Sequence, residues 1–284
     1  MGIDHAGTFD VGEDITVHRM GYGAMRLCGP GVWGDPADRE NPGRVLRRCL
    51  ELGIDLIDTA DAYGPEVNEY QIADALHPYP KGLLIATKGG LVRDGPSVWR
   101  RSGHPTRLNS RINNSLRRLR LETIDLYQYH AVDPDVPLAD SVGALAKARE
   151  EGRIRHIGLS NVSVAQLDEA TQIVPIATVQ NRYNLTDRGS QDVLDRCATL
   201  NIGFIPWYPL AAGKLSGEGQ QTLSAIAAEH DATTSQVALA WLLQKSPVML
   251  PIPGTSSVAH LEENVAAADI TLSDDQMARL DGLA

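Results

Sequence analysis

Apolar residues in this chain fall into two alternating patterns. Short aliphatic and β-branched runs read as buried strands, and longer segments with apolar residues three and four apart read as amphipathic helices. The strand-like runs are 18–24, 54–60, 83–88, 124–130, 154–160, 178–183, 203–210 and 248–254. The helical segments are 44–53, 66–76, 107–119, 138–151, 164–171, 190–200, 235–243 and 258–267. A strand-then-helix order repeated eight times predicts an α/β fold, a single (β/α)8 TIM barrel over residues 1–284. Gly152 and Gly203 each stand just before a strand, where helix C-caps use glycine. The rival architecture, a doubly wound dinucleotide domain, needs G-x-G-x-x-G between its first strand and helix. Gly21-Tyr22-Gly23-Ala24-Met25-Arg26 lacks the third glycine, and no helical pattern begins there. A dinucleotide would have to be held another way.

Active sites of such barrels lie at the C-terminal ends of the strands. Asp58 ends the second run with Tyr63 just beyond it, Lys88 ends the third, and His130 ends the fourth. Ser160 and Asn161 end the fifth, Gln180 lies in the sixth, Trp207 in the seventh, and Pro253 to Ser257 close the eighth. Each alone has an ordinary explanation as a cap, a satisfied histidine or a packed indole. Stability gives no reason to put an acid, a phenol, an amine and an imidazole at equivalent points of one repeat. A phenol titrates near ~10, so at neutral pH it exchanges a proton only with positive charge nearby. Lys88 would supply that charge, Asp58 would hold Lys88, and His130 would hydrogen-bond the reacting oxygen. That is a device for reducing carbonyls. The competing barrel chemistry, a Schiff base on Lys88, needs a neutral amine, and an Asp58 partner opposes it.

Composition narrows the partners. Apolar residues make up 43% of the chain, and a net charge of −10 disfavours nucleic acid and anionic membrane, which both need a basic face. The arginine-rich stretch 111–120 carries Leu and Ile at helical spacing and reads as a solvated helix face rather than a phosphate patch. No run approaches the ~18 apolar residues of a membrane span, and the first residues lack signal-peptide features. A cytoplasmic setting is expected. Cys28, Cys49 and Cys197 are odd in number and lack C-x-x-C spacing, which predicts free thiols and no metal site.

The motifs themselves go further. Gly-Tyr-Gly-Ala-Met, Ile-Asp-Thr-Ala-Asp-Ala-Tyr-Gly, Ala-Thr-Lys, Asp-Leu-Tyr-Gln-Tyr-His, His-Ile-Gly-Leu-Ser-Asn, Val-Gln-Asn-Arg-Tyr-Asn, Pro-Trp-Tyr-Pro-Leu and Ile-Pro-Gly-Thr-Ser-Ser occur in that order from Arg19 onward. In this the chain resembles the aldo-keto reductases, and Leu-Cys-Gly-Pro-Gly-Val-Trp-Gly is similar to bacterial members that reduce pyridoxal. The resemblance implies an enzyme that reduces aldehydes or ketones with NADPH, NADH being possible, and without metal. Tyr63 would be the general acid, Lys88 and Asp58 would lower its pKa, and His130 would orient the carbonyl.

By the same resemblance the cofactor would meet Gly23, Ala24, Met25 and Asp58 on one side. Ser160, Asn161 and Gln180 would bind the nicotinamide carboxamide, Trp207 would stack on its ring, and Tyr208, Pro209, Leu210 and Gly213 would pass the pyrophosphate. Gly254, Thr255, Ser256 and Ser257 would grip the 2′-phosphate with free N–H groups at a helix start, and His260, Glu263 and Asn264 would meet the adenine. The chain departs from its relatives in having no Lys or Arg in the phosphate turn, His260 where Arg is common, and Tyr208 where Ser is common. A weaker NADPH preference follows. Met25, Trp33 and Trp99 are expected to wall a pocket for a flat or apolar carbonyl. The expected oligomeric state is a monomer. A barrel that binds the cofactor to report redox state to a partner is the alternative, and the complete set of Asp58, Tyr63, Lys88 and His130 weighs against it.

Overall fold

The computed structural model of the protein describes residues 2–210 and 217–283, so the expected pyrophosphate contact at Gly213 lies outside the described residues. The chain opens with a hairpin, β1 (Thr8–Val11) pairing antiparallel with β2 (Ile15–His18). The first barrel strand, β3 (Tyr22–Gly23), comes after it. The run expected as one strand from His18 is thus split between two sheets. The hairpin lies against the strand starts: Asp14 meets His156 at 2.6 Å, and Phe9 lies beside Gly203.

From there strand and helix alternate as α1 (Asn41–Glu51), β4 (Leu56–Asp58), α2 (Val67–Leu76) and β5 (Leu84–Gly89). A second hairpin, β6 (Leu91–Gly95) with β7 (Val98–Arg101), interrupts the alternation before α3 (Pro105–Leu119). Then follow β8 (Ile124–Tyr129), α4 (Leu138–Glu150), β9 (Ile154–Ser160), α5 (Val164–Thr171), β10 (Ile176–Arg182), α6 (Gln191–Leu200) and β11 (Gly203–Trp207). The chain ends in α7 (Gly217–Glu229), α8 (Thr234–Lys245), α9 (Val258–Ala266) and α10 (Asp274–Asp281). Seven strands form one parallel sheet in the order β11-β10-β9-β8-β5-β4-β3.

The eighth run is not a regular strand. Met249 bridges Phe204 in parallel, and the Gly21 N–H donates to Pro251 O at 2.9 Å, so the segment joins β11 to the chain entering β3 and closes the barrel. Pro251 and Pro253 have no N–H to give, which limits the segment to isolated bonds. With this closure the architecture is an eight-fold β/α barrel.

Several local features follow from the sequence. Ser163, Thr233 and Ser273 each cap a helix, with Gln166, Gln236 and Gln276 three residues on completing capping boxes. Residues Val237 to Leu243 of α8 are all buried, as befits a helix apolar all round. Gly152 takes the left-handed conformation after α4 as expected, at φ 75°. After α6 that role falls to Asn201, at φ 52°, and Gly203 is simply the first residue of β11. The arginine-rich helix α3 also departs from expectation: Arg118 is buried and bonds Glu69 at 2.6 Å.

Candidate active site

Strand pleating sends alternate residues inward and outward. Thr87 faces out and donates to Glu69 Oε1 on α2 at 2.6 Å, so its neighbour Lys88 faces in. There the Lys88 ammonium, fully buried, lies 2.5 Å from Asp58 Oδ1, 2.9 Å from Thr59 O and 3.2 Å from the Tyr63 hydroxyl. The other Asp58 oxygen accepts from Gln128 Nε2 and Gln180 Nε2, each at 2.9 Å. Gln128 crosses the face of Gly158, where a Cβ would stand 2.7 Å from its Cγ. A larger residue at Gly158 would displace Gln128 from Asp58.

The carboxylate therefore accepts from three buried donors, one of them the charged Lys88. Burial alone would drive the Lys88 ammonium towards the neutral amine, but Asp58 and Tyr63 hold its pKa above the ordinary value. That removes the free amine a Schiff base would require. Burial pushes the Tyr63 phenol above its ordinary value too, and Lys88 only partly offsets this. The expectation of a lowered phenol is corrected accordingly. A raised phenol keeps its proton at neutral pH, the form a general acid needs.

His130 borders the same cavity, its ring 5.9 Å from that of Tyr63 and edge-on to it. Burial, with Lys88 second, pushes its pKa well below 6.5, so the imidazole is neutral. Its Nδ1 is buried without a partner. A bare nitrogen lone pair is the cheaper group to leave there, which assigns the proton to Nε2 as a donor. Trp99, carried by β7, sits edge-on to both rings at 6.3 Å.

These residues open into a cavity of about 510 Å³ that is also lined by Gly23, Met25, Arg26, Leu91, Ile252 and Gly254. Ser160, Asn161, Gln180, Trp207, Tyr208, Pro209 and Leu210 form its other side. Asn161 donates to His130 O and Ser160 Oγ and accepts from the Trp207 indole N–H, each at 3.0 Å. That fixes the plane of Trp207. The Gln180 amide nitrogen is taken up by Asp58 and Gln128, leaving its Oε1 as the acceptor towards the cavity. Gly23 and Gly254 approach so closely that a Cβ on either would lie 2.7 Å from a backbone carbonyl. Bare backbone on one side and a hydroxyl, an amide and an indole on the other fit a dinucleotide.

The turn after the eighth run differs from expectation. Ser257 N is already bonded to Thr255 Oγ1 at 3.0 Å, and Ser257 Oγ caps α9 by accepting from His260 N at 3.4 Å. Those N–H groups are not free. Thr255 O accepts from Tyr22 and Ser256 O from Asn41. Ser256 and His260 are exposed, as is Glu263, whereas Asn264 is buried. Arg26 approaches this turn, its Cγ 3.6 Å from the place of a Cβ on Gly254. Ala24 is buried outside the lining with its carbonyl bonded to Asn68, and Trp33 also stands outside the lining, against the Arg93 guanidinium at 5.8 Å.

Sequence reasoning missed Gln128, Arg26, Leu91 and Ile252. Gln128 was within reach of it, being a polar residue two before His130 on one strand and therefore on the same face.

The sequence model of the Aldo/keto reductase family matches residues 19–284, and the chain belongs to that family. It is thus an NAD(P)H-dependent oxidoreductase of carbonyls. Among its relatives, an uncharacterised oxidoreductase of Schizosaccharomyces pombe is 52% identical, over 97% of this chain and 89% of that one. The pyridoxine 4-dehydrogenase of Escherichia coli is 43% identical, over 97% of this chain and 98% of that one. Among solved structures, an aldo-keto reductase of Klebsiella pneumoniae in complex with NADPH superposes with a TM-score of 0.82 at 28% identity, covering 97% of this chain and 94% of that one. Among the described residues no helix is long and apolar enough to cross a membrane, and no group of three or more His, Cys, Asp or Glu could hold a metal ion.

Proposed function

We propose that this protein, as one catalytic domain acting as a monomer, reduces small ring-bearing aldehydes and ketones, pyridoxal among them, with Tyr63 as the general acid. The observation that carries this reading is the buried Lys88 ammonium, 3.2 Å from the Tyr63 hydroxyl and 2.5 Å from Asp58, behind a cavity that Asp58, Tyr63, His130 and Trp99 line. A bound dihydronicotinamide supplies the hydride. Tyr63 holds a proton at its hydroxyl and gives it to the carbonyl oxygen as negative charge develops there. Lys88 stabilises the phenolate left behind, and Asp58 keeps Lys88 charged. His130 donates Nε2–H to the same oxygen and so orients the carbonyl.

NADPH is the preferred cofactor in this reading, with NADH accepted. The phosphate turn offers hydroxyls rather than its own cation, and the stem of the Arg26 side chain passes beside Gly254. The substrate class is supported by the three rings of Tyr63, His130 and Trp99 and by the name of the relative at 43% identity.

Replacing Tyr63 with Phe tests the assignment. Carbonyl reduction should fall by about 10²–10⁴-fold, while NADPH binding, read by fluorescence titration, stays nearly intact. Turnover within tenfold of the wild type would remove Tyr63 as the acid.

A further inference from the structure

The hairpin β6–β7 brings Trp99 to the site, yet a two-stranded hairpin is marginal by itself. What fixes it is Arg93, which is buried in spite of its charge. Its Nε donates to Val98 O at 3.1 Å, Nη1 to Val32 O at 2.8 Å and Ala62 O at 3.2 Å, and Nη2 to Gly31 O at 2.7 Å and Gly95 O at 3.3 Å. A guanidinium has five N–H groups, and here all five end on backbone carbonyls. Those carbonyls belong to three separate segments: the loop after β3, the residue next to Tyr63, and the hairpin itself. No carboxylate lies within ion-pair distance of Arg93 among the described residues, unlike Arg118, which has Glu69. The guanidinium plane also lies 3.7 Å from the centre of the Trp99 ring and covers one face of it.

From this geometry we propose that Arg93 is a positioning residue that sets substrate choice: it locks Trp99 edge-on to Tyr63 and His130 and so builds the wall against which a ring-bearing carbonyl lies. The inference rests on the carbonyl-reductase reading above. Lysine cannot replace Arg93, because an ammonium has three N–H groups, no plane to stack and no fork to span three segments. A small aliphatic aldehyde reaches Tyr63 and His130 without needing the Trp99 wall. A ring-bearing one loses its contact surface once the hairpin is free to drift.

The test compares kcat/KM for benzaldehyde with that for propanal under saturating NADPH, in the wild type, in Arg93→Lys and in Trp99→Leu. The benzaldehyde-to-propanal ratio should fall by roughly tenfold in both variants, the scale of one lost aromatic contact, and the fall should lie in KM rather than kcat. In Arg93→Ala, added methylguanidinium should restore the ratio and methylammonium should not. A ratio that stays constant while both substrates decline together would make Arg93 a stabiliser of the fold and overturn the inference. So would a Trp99→Leu protein with an unchanged ratio, and that result stands even if the Arg93 variants fail to fold. A wild type that reduces neither aldehyde would instead remove the carbonyl-reductase reading itself.

Discussion

Asp61 is a buried carboxylic acid with no hydrogen bond to either oxygen, and replacing it with Asn should make the protein more stable. Arg111 Nε approaches to 3.6 Å, too far for a hydrogen bond, while Glu66 and Glu69 on one side oppose Arg111 and Arg118 on the other. Burial first, and Glu69 second, push the Asp61 pKa from the ordinary 3.8 up to about 8. The unfolded chain therefore releases this proton near pH 4, whereas the folded chain keeps it until about pH 8. Stability is highest below the lower value and is lost as pH rises to the higher one. At about 1.4 kcal/mol per pH unit the penalty at pH 7 has a ceiling of roughly 4 kcal/mol.

Asn is shaped like the protonated acid but has nothing to release. Asp61→Asn should be close to neutral near pH 4 and gain about 2–4 kcal/mol by pH 7, with the gain levelling off above about pH 8. Urea midpoints for both proteins at several pH values across that range read the difference directly. The Glu69–Arg118 pair is present in both proteins and drops out of the comparison. An Asp61→Asn protein that is less stable than wild type by the same amount at every pH would refute the argument. Asp61 would then be making bonds as a carboxylate.

Three further outcomes follow from the site and its surroundings. Because burial keeps the Tyr63 phenol protonated, carbonyl reduction should be flat through neutral pH, while oxidation of the alcohol, which needs the phenolate, should rise into the alkaline range; initial rates in both directions check this, and a reduction rate falling between about pH 6 and 8 would contradict it. Glu69→Gln removes the negative charge 2.6 Å from the Arg118 guanidinium, 1% exposed, and should cost about 3–5 kcal/mol in denaturant unfolding; a loss under ~1 would show that Glu66 suffices. Ser256→Arg adds a cation at the exposed turn and should tighten NADPH binding by ~1–3 kcal/mol without changing NADH; equal effects on both cofactors would place the 2′-phosphate elsewhere.

The barrel could be read from the chain because a parallel strand buried on both faces leaves an aliphatic run that no surface segment imitates. Asp58, Lys88 and His130 shared a second signal, being polar residues at the same point of a repeat. Neither signal exists for segments outside the repeat. The first hairpin carries Phe9, Val11, Ile15 and Val17 at alternating positions, but each strand is only four residues long and its partner surface, the strand starts, is remote in sequence. The eighth run reads as a strand because its apolar residues are the same as in the others. Its prolines decide otherwise.

Charge in the interior was the least legible of all. Spacing put Arg118 on a helix surface, since its neighbours Arg117 and Arg120 are there, and nothing local to α3 reveals that Glu69 on α2 waits beneath it. Arg93 is harder still. Its acceptors are main-chain carbonyls, which every residue has, so no composition at Gly31, Val32 or Ala62 marks them as its partners. A carboxylate partner leaves a trace in the sequence and a carbonyl partner leaves none. Cations buried by carbonyls alone can be found only once the loops that supply them are placed, and in a barrel those loops are where substrates are chosen.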